Sequence, residues 1–110
     1  MACEYLQGIG MQILERNFRC RSGEIDIIAR DGDYLVFVEV KYRRNSDKGG
    51  PFAAVGVQKQ RKICRVADYY RYTRHVAGNQ KIRYDVVAIL DDSVRLLKNA
   101  FYHISAVGSW

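Results

Sequence analysis

Two hydrophobic periods alternate along this chain. From Gly23 to Lys41 it reads as two apolar, β-rich runs, Glu24 to Arg30 and Tyr34 to Lys41, joined by Arg30-Asp31-Gly32-Asp33. An Asp-Gly pair between such runs predicts a tight hairpin, because glycine tolerates the positive φ that such turns demand. The second run is almost wholly apolar from Leu35 to Val38, which predicts a strand buried on both faces. Upstream, Met1 to about Gly8 predicts the end of a helix with Leu6 and Ile9 inward, stopped by Gly8 and Gly10. Met11 to Arg19 predicts a first strand with Ile13 and Leu14 inside, turning through Cys20-Arg21-Ser22-Gly23. Downstream, Phe52 to His75 predicts the main helix, with Val57, Ile63, Ala67 and Tyr70 near helical spacing and Gly78-Asn79 beyond its end. Lys81 to Leu90 alternates as a strand, Asp91-Asp92-Ser93 turns, and Val94 to Lys98 forms a short last strand. The tail packs back through Ala100, Phe101, Ile104 and Val107. The order helix, three strands, helix, two strands predicts one α/β domain over residues 1–110, a mixed central sheet flanked by helices.

The buried run ends in charge. Glu39 and Lys41 are two apart on a strand and point the same way. A two-residue Asp31-Gly32 loop would set Asp26 diagonal to Glu39, whereas a Gly32-Asp33 loop would set the two directly opposite; a three-residue loop would separate them. Opposed carboxylates cost roughly 0.2–1 kcal/mol unless something compensates them. A divalent cation does so, and Mg2+ or Mn2+ held by Asp26, Glu39 and a backbone carbonyl such as that of Val40 would suit phosphodiester hydrolysis, with Lys41 orienting water or offsetting developing charge. Asp26, Glu39 and Lys41 are the expected catalytic residues, with a salt-bridged cluster as the plainer reading.

Composition narrows the partners. The chain has 110 residues, 48% apolar and 27% charged, and a formal charge of +6. Its pI of about 9.4 favours an acidic partner such as nucleic acid, with an anionic membrane surface as the rival. No stretch has the length of a membrane span and no signal pattern opens the chain, so a cytoplasmic location without membrane contact is expected. Cys3, Cys20 and Cys64 lack metal or disulfide spacing, which predicts reduced and mostly buried thiols, and His75 and His103 stand isolated. Asp85, among apolar residues, reads as a salt-bridge partner before a metal ligand.

Positive charge gathers around the carboxylates. Arg43, Arg44 and Lys48 lie in the polar loop that follows Lys41, and Lys59, Arg61, Lys62, Arg65, Arg71 and Arg74 load the main helix. On the helix this density favours nucleic-acid contact, by Arg61, Lys62 and Arg65, over a plain solvated face, whereas for Arg43, Arg44 and Lys48 phosphate contact and a solvated loop are equal readings. Tyr69, Tyr70 and Tyr72 can stack on bases, but their spacing suits core packing better.

Asp26, twelve residues, then Glu39-Val40-Lys41 resembles the signature of the PD-(D/E)XK nuclease superfamily of restriction endonucleases and Holliday-junction resolvases. The resemblance is closer to the bacterial YraN family, for which endonuclease activity is expected. It runs through Ala2-x-x-Tyr5-Leu6, Ile13 to Arg19, Gly23-Glu24-Ile25-Asp26, Val36 to Lys41, Lys59-Gln60, Asp85-Val86-Val87 and Asn99-Ala100-Phe101. It implies a restriction endonuclease-like fold, a metal-dependent nuclease acting on DNA, branched or structured DNA among its substrates, and Lys59 and Gln60 as supporting residues near the site. It also implies a Glu from a Gly-Glu pair ahead of the first helix, so that this helix reads as truncated at Met1. Glu4 lies five positions further along, about 140° around the axis, and is no obvious replacement, whereas Glu24 can add a carboxylate. Related nucleases often pair, so a homodimer is a further expectation. Two other classes compete: a catalytically silent nucleic-acid-binding module, and a scaffold whose basic helix meets an acidic protein.

Overall fold

The apolar run after Gly32 lies at the centre of a five-stranded sheet in the computed structural model, which describes residues 1–44 and 55–105. Seven elements follow the predicted order: α1 (Ala2–Gly8), β1 (Gln12–Cys20), β2 (Gly23–Asp31), β3 (Tyr34–Tyr42), α2 (Val57–Thr73), β4 (Lys81–Ile89) and β5 (Val94–Phe101). The strands lie side by side in chain order, with β3 and β4 parallel and each other neighbouring pair antiparallel. A parallel pair needs a crossover, and α2 lies within it.

Leu35, Val36, Phe37 and Val38 are buried because helices cover both faces of β3. On one face Ile25, Ile28, Leu35, Phe37, Tyr84 and Phe101 pack with Ile63, Cys64, Val66, Ala67 and Tyr70 of α2. On the other, Ala2, Cys3 and Leu6 of α1 pack with Ile27, Ala29, Val36, Val38, Val87 and Ile89. The fold is therefore a mixed α/β domain with a five-stranded sheet between two helices, compatible with a restriction endonuclease-like fold.

Several local expectations change. Ile9 is exposed, and Ala2 and Cys3 fill the space beside Leu6, because the short helix turns its first residues onto the sheet. Val57 is also exposed, since it starts α2 beyond the reach of the core. The helix ends at Thr73, before Gly78-Asn79. β5 continues past Lys98 to Phe101, with Asn99 at φ 56 absorbing an irregularity in the β4 pairing. Phe101 enters the core, and Ala100 and Ile104 pack against it. His103 is not isolated: its Nδ1 lies 2.7 Å from the Tyr84 hydroxyl and its Nε2 lies 3.3 Å from Asp68, which ties the segment after β5 to α2. The residues 45–54, including Lys48 and the predicted helix start at Phe52, lie outside the described residues, as does Val107.

Two further expectations hold. Asp85 is fully buried and accepts from Arg83 Nε at 2.9 Å, from Arg83 Nη2 at 2.9 Å and from the Asn99 N–H at 2.9 Å. Burying that carboxylate is tolerable because a charged donor and a backbone N–H satisfy it. All three cysteines are free, with Cys3 and Cys64 buried and Cys20 half-buried. Among the described residues, no helix is long and apolar enough to cross a membrane.

Candidate functional site

The β2–β3 hairpin fixes the first geometric relation. Asp31 pairs with Tyr34, so the loop is Gly32-Asp33, and Gly32 takes the positive φ of 59° that a primed turn requires at its first central position. The pairs run from there to Ile27 and Val38. One step further, the register brings Asp26 to the level of Glu39, the directly opposed arrangement of the two considered.

The ladder opens at that step. Val40 donates its N–H to Asp26 Oδ2 at 2.8 Å, so the side chain replaces a backbone acceptor. Between β1 and β2 the register continues across this level, Arg16 pairing with Ile27 and Phe18 with Ile25, but the step between them is irregular, with Asn17 at φ 50. Ile25 and Ile27, two apart, consequently enter opposite cores. Asp26 stands at this step, half-buried between the two faces. A strand residue directs its N–H and C=O to the same edge, so the Val40 carbonyl also turns toward the gap left by β2.

Glu39 and Lys41 alternate with Phe37 and lie on the α2 face. The Glu39 side chain is only 13% exposed, and Lys59 Nζ lies 3.5 Å from its Oε1. Burial raises the Glu39 pKa, the neighbouring Asp26 carboxylate raises it further, and Lys59 opposes both. Burial and then the charge of Arg43 lower the pKa of Lys41, with Glu39 acting in the opposite sense. The arrangement is an electronegative pair inside an electropositive surround.

Two clefts meet along Glu39 and Lys59. One of about 290 Å³ is lined by Gly23, Glu24, Asp26, Glu39, Lys59, Lys62, Ile63 and Val66. The other, about 360 Å³, includes Lys41, Arg43, Val55 and Gly56. A third cleft, about 240 Å³, reaches Asp26 and Val40 from the α1 side, past Arg16, Asn17 and Tyr42. Asp26 is thus reached from both faces of the sheet, and Glu39 from the α2 face.

The supporting residues are placed unequally. Glu24 shares the cleft with Asp26, but Arg19 Nε holds its carboxylate at 2.9 Å. Glu4 is exposed and pairs with the Met1 amino group at 2.7 Å. Among the described residues no group of three or more acidic, histidine or cysteine side chains gathers as a metal cage, so the acidic centre is the Asp26–Glu39 pair. Gln60 does not face the carboxylates: its Nε2 donates to the Val55 carbonyl at 2.8 Å and braces the segment entering α2. Lys59, one residue earlier, makes the direct contact.

Of the helix cations, Arg71 pairs with Asp68 and Arg74 with Glu15, which takes both away from a free basic surface. Arg61, Lys62 and Arg65 are exposed and, with Gln58, line a cleft of about 260 Å³. Arg43 and Arg44 line another, about 430 Å³, with Tyr42, Ile89, Leu90 and Asp91. Tyr70 is core, as its spacing suggests, but Tyr69 and Tyr72 are exposed. Sequence reasoning missed Asn17, whose left-handed backbone lies at the level of Asp26; asparagine's tolerance of that conformation is the signal it carries.

Residues 1–89 match the model of the uncharacterised protein family UPF0102. A UPF0102 protein of Lachnoclostridium phytofermentans is 53% identical over 100 residues, covering 91% of this chain and 85% of the relative. One of Syntrophus aciditrophicus is 48% identical over 105 residues, covering 92% and 82%. One of Caldicellulosiruptor saccharolyticus is 45% identical over 106 residues, covering 91% and 89%. A family match over most of the chain, joined to relatives that align nearly from end to end, means that this chain belongs to the UPF0102 family.

Proposed function

We propose that this chain is a divalent-metal-dependent endonuclease of the PD-(D/E)XK type, similar to the YraN family, that hydrolyses phosphodiester bonds in DNA, branched or structured DNA among its substrates. The observation that carries the reading is the meeting of Asp26 and Glu39 where β2 and β3 part, with Lys41 on the same face as Glu39. Two carboxylates and the Val40 carbonyl are hard oxygen donors of the kind that Mg2+ or Mn2+ takes alongside water and substrate phosphate. Burial first and the Asp26 carboxylate second raise the Glu39 pKa against Lys59, and the part due to Asp26 is the part that supports this fit.

When bound, such an ion polarises a phosphate and makes coordinated water acidic. Asp26 and Glu39 would hold it, and the Val40 N–H fixes the Asp26 carboxylate in position. Lys41, its charge destabilised by burial and by Arg43, is suited to stabilise negative charge as it develops on the phosphate and to orient the attacking water. Arg43, Arg44, Arg61, Lys62 and Arg65 would hold backbone phosphates, which fix position without reading sequence.

The Lys59–Glu39 ion pair favours a second reading, a nucleic-acid-binding module without catalysis, since it satisfies one carboxylate without a metal. One assay separates the two: incubation of plasmid, linear and four-way-junction DNA with Mg2+, Mn2+ or EDTA, using the chain and its Glu39→Ala variant. Metal-dependent cutting that disappears in Glu39→Ala is the expected result. DNA binding with no cutting under any metal would establish the binding module instead.

A further inference from the structure

The outward face of α2 carries one continuous stripe. At about 100° and 1.5 Å per residue, Gln58, Arg61, Lys62, Arg65, Tyr69 and Tyr72 fall within an arc of about 100° and extend along about 21 Å. The stripe changes chemistry along its length. Arg61, Lys62 and Arg65 occupy the half nearer Glu39, and none has an acidic partner among the described residues. Tyr69 and Tyr72, 49% and 79% exposed, occupy the other half. Asp68, the acidic neighbour, is turned to Arg71 at 3.5 Å and His103 at 3.3 Å, so its charge is engaged beside the stripe. Lys62 lines both the cleft that holds Asp26 and Glu39 and the cleft formed by Gln58, Arg61 and Arg65. The stripe is therefore continuous with the acidic centre.

A duplex offers phosphates to such a surface but keeps its base faces stacked. A single strand offers both, and the exposed tyrosine rings, of which Tyr69 also rests tilted on Phe18 with centroids 6.3 Å apart, give those bases a platform. We propose that the α2 stripe binds an unpaired segment of nucleic acid, with phosphates on Arg61, Lys62 and Arg65 and bases stacked on Tyr69 and Tyr72, leading from the Asp26–Glu39 centre. This inference rests on the nuclease reading for what the track serves, and it assigns the substrate class: nucleic acid with a single-stranded arm, flap or gap.

Binding in EDTA tests the inference apart from cleavage. Fluorescence anisotropy would compare a short oligonucleotide as single-stranded DNA, single-stranded RNA, blunt duplex and duplex with a single-stranded arm. The single strand and the armed duplex should bind more tightly than the blunt duplex, and the DNA and RNA arms identify which sugar the track accepts. Tyr69→Ala and Tyr72→Ala should each weaken single-strand binding roughly tenfold, while leaving blunt-duplex binding unchanged. Tyr72→Phe should retain single-strand affinity, because stacking needs the ring and not the hydroxyl. Arg61→Glu with Arg65→Glu should weaken both forms and flatten the dependence on salt.

Equal affinity for single strand and blunt duplex, or tyrosine variants that bind the single strand as the parent does, would overturn the inference. Its failure is distinguishable from that of the nuclease reading. Metal-dependent cutting without single-strand preference overturns the track alone, whereas tyrosine-dependent single-strand binding without any cutting overturns the nuclease and leaves the track.

Discussion

Lys59 Nζ stands 3.5 Å from Glu39 Oε1, the same carboxylate that lies beside Asp26. In the metal-free chain the ammonium partly offsets a charge that a divalent ion would offset more fully. On the proposed reading, lysine and metal would compete for one carboxylate. The Lys59 side chain is 56% exposed, so water screens the pair and its strength is that of a surface ion pair, about 0.2–1 kcal/mol.

Removing the competitor should strengthen metal binding. Lys59→Met is expected to raise Mn2+ affinity by a factor of about two to five, the equivalent of that ion pair. Titration calorimetry reads it directly, and an unchanged or weaker affinity would mean that Lys59 does not oppose the ion.

Glu39 also sets a pH dependence. Its carboxyl binds a proton more tightly in the folded chain than in the unfolded one, because burial and Asp26 both disfavour its charge. The stability this gives is full below the ordinary glutamate value of 4.5 and is lost as pH rises through the higher folded value. At neutral pH in EDTA, Glu39→Gln should therefore stabilise the fold by up to about 1 kcal/mol, the cost of opposed like charges on neighbouring strands. Thermal unfolding of the two proteins checks the sign. A destabilised Glu39→Gln would show that the Lys59 pair outweighs the repulsion.

Asp26 combines two roles that substitution can separate. Asp26→Ala strands the Val40 N–H and should cost about 1–3 kcal/mol, whereas Asp26→Asn keeps an acceptor oxygen and should stay close to parental stability. Both should lose the metal. Urea denaturation in EDTA, paired with Mn2+ titration, distinguishes the structural loss from the chemical one.

Much of this arrangement is legible in the residues themselves. Asp31-Gly32-Asp33 restricts the hairpin to a few registers, and the apolar run from Leu35 to Val38 marks the central strand. The choice between registers needed the structure, because either side of Gly32 can supply the second loop residue. The irregular step at Asn17 and Asp26 was not legible either: alternation predicts that Ile25 and Ile27 share a face, and the structure sends them into opposite cores. On α2, three nearby tyrosines read alike by type, and a difference of one residue, about 100° of rotation, sends Tyr70 inward and Tyr69 outward. Pairings across the chain, such as Arg74 with Glu15 and His103 with Asp68, leave no trace in local spacing.

The buried pair at the other face should behave differently from the acidic centre. Asp85 is enclosed by Arg83 and the Asn99 N–H, and Asp31 also meets Arg83 at 2.8 Å. Asp85→Ala should cost about 3–5 kcal/mol, because it strips a buried guanidinium of its fully enclosed partner. Chemical denaturation measures this. A cost below about 1 kcal/mol would show that Asp31 alone satisfies Arg83.

The most direct measurement for the whole account is Mn2+ binding to the chain, followed by paramagnetic resonance of the free ion, alongside Asp26→Asn, Glu39→Gln and Lys41→Ala. A single site lost in both carboxylate variants and kept in Lys41→Ala is predicted. Binding that survives in Asp26→Asn and Glu39→Gln, or no binding by the parent chain, would contradict the claim that these two carboxylates hold a catalytic cation.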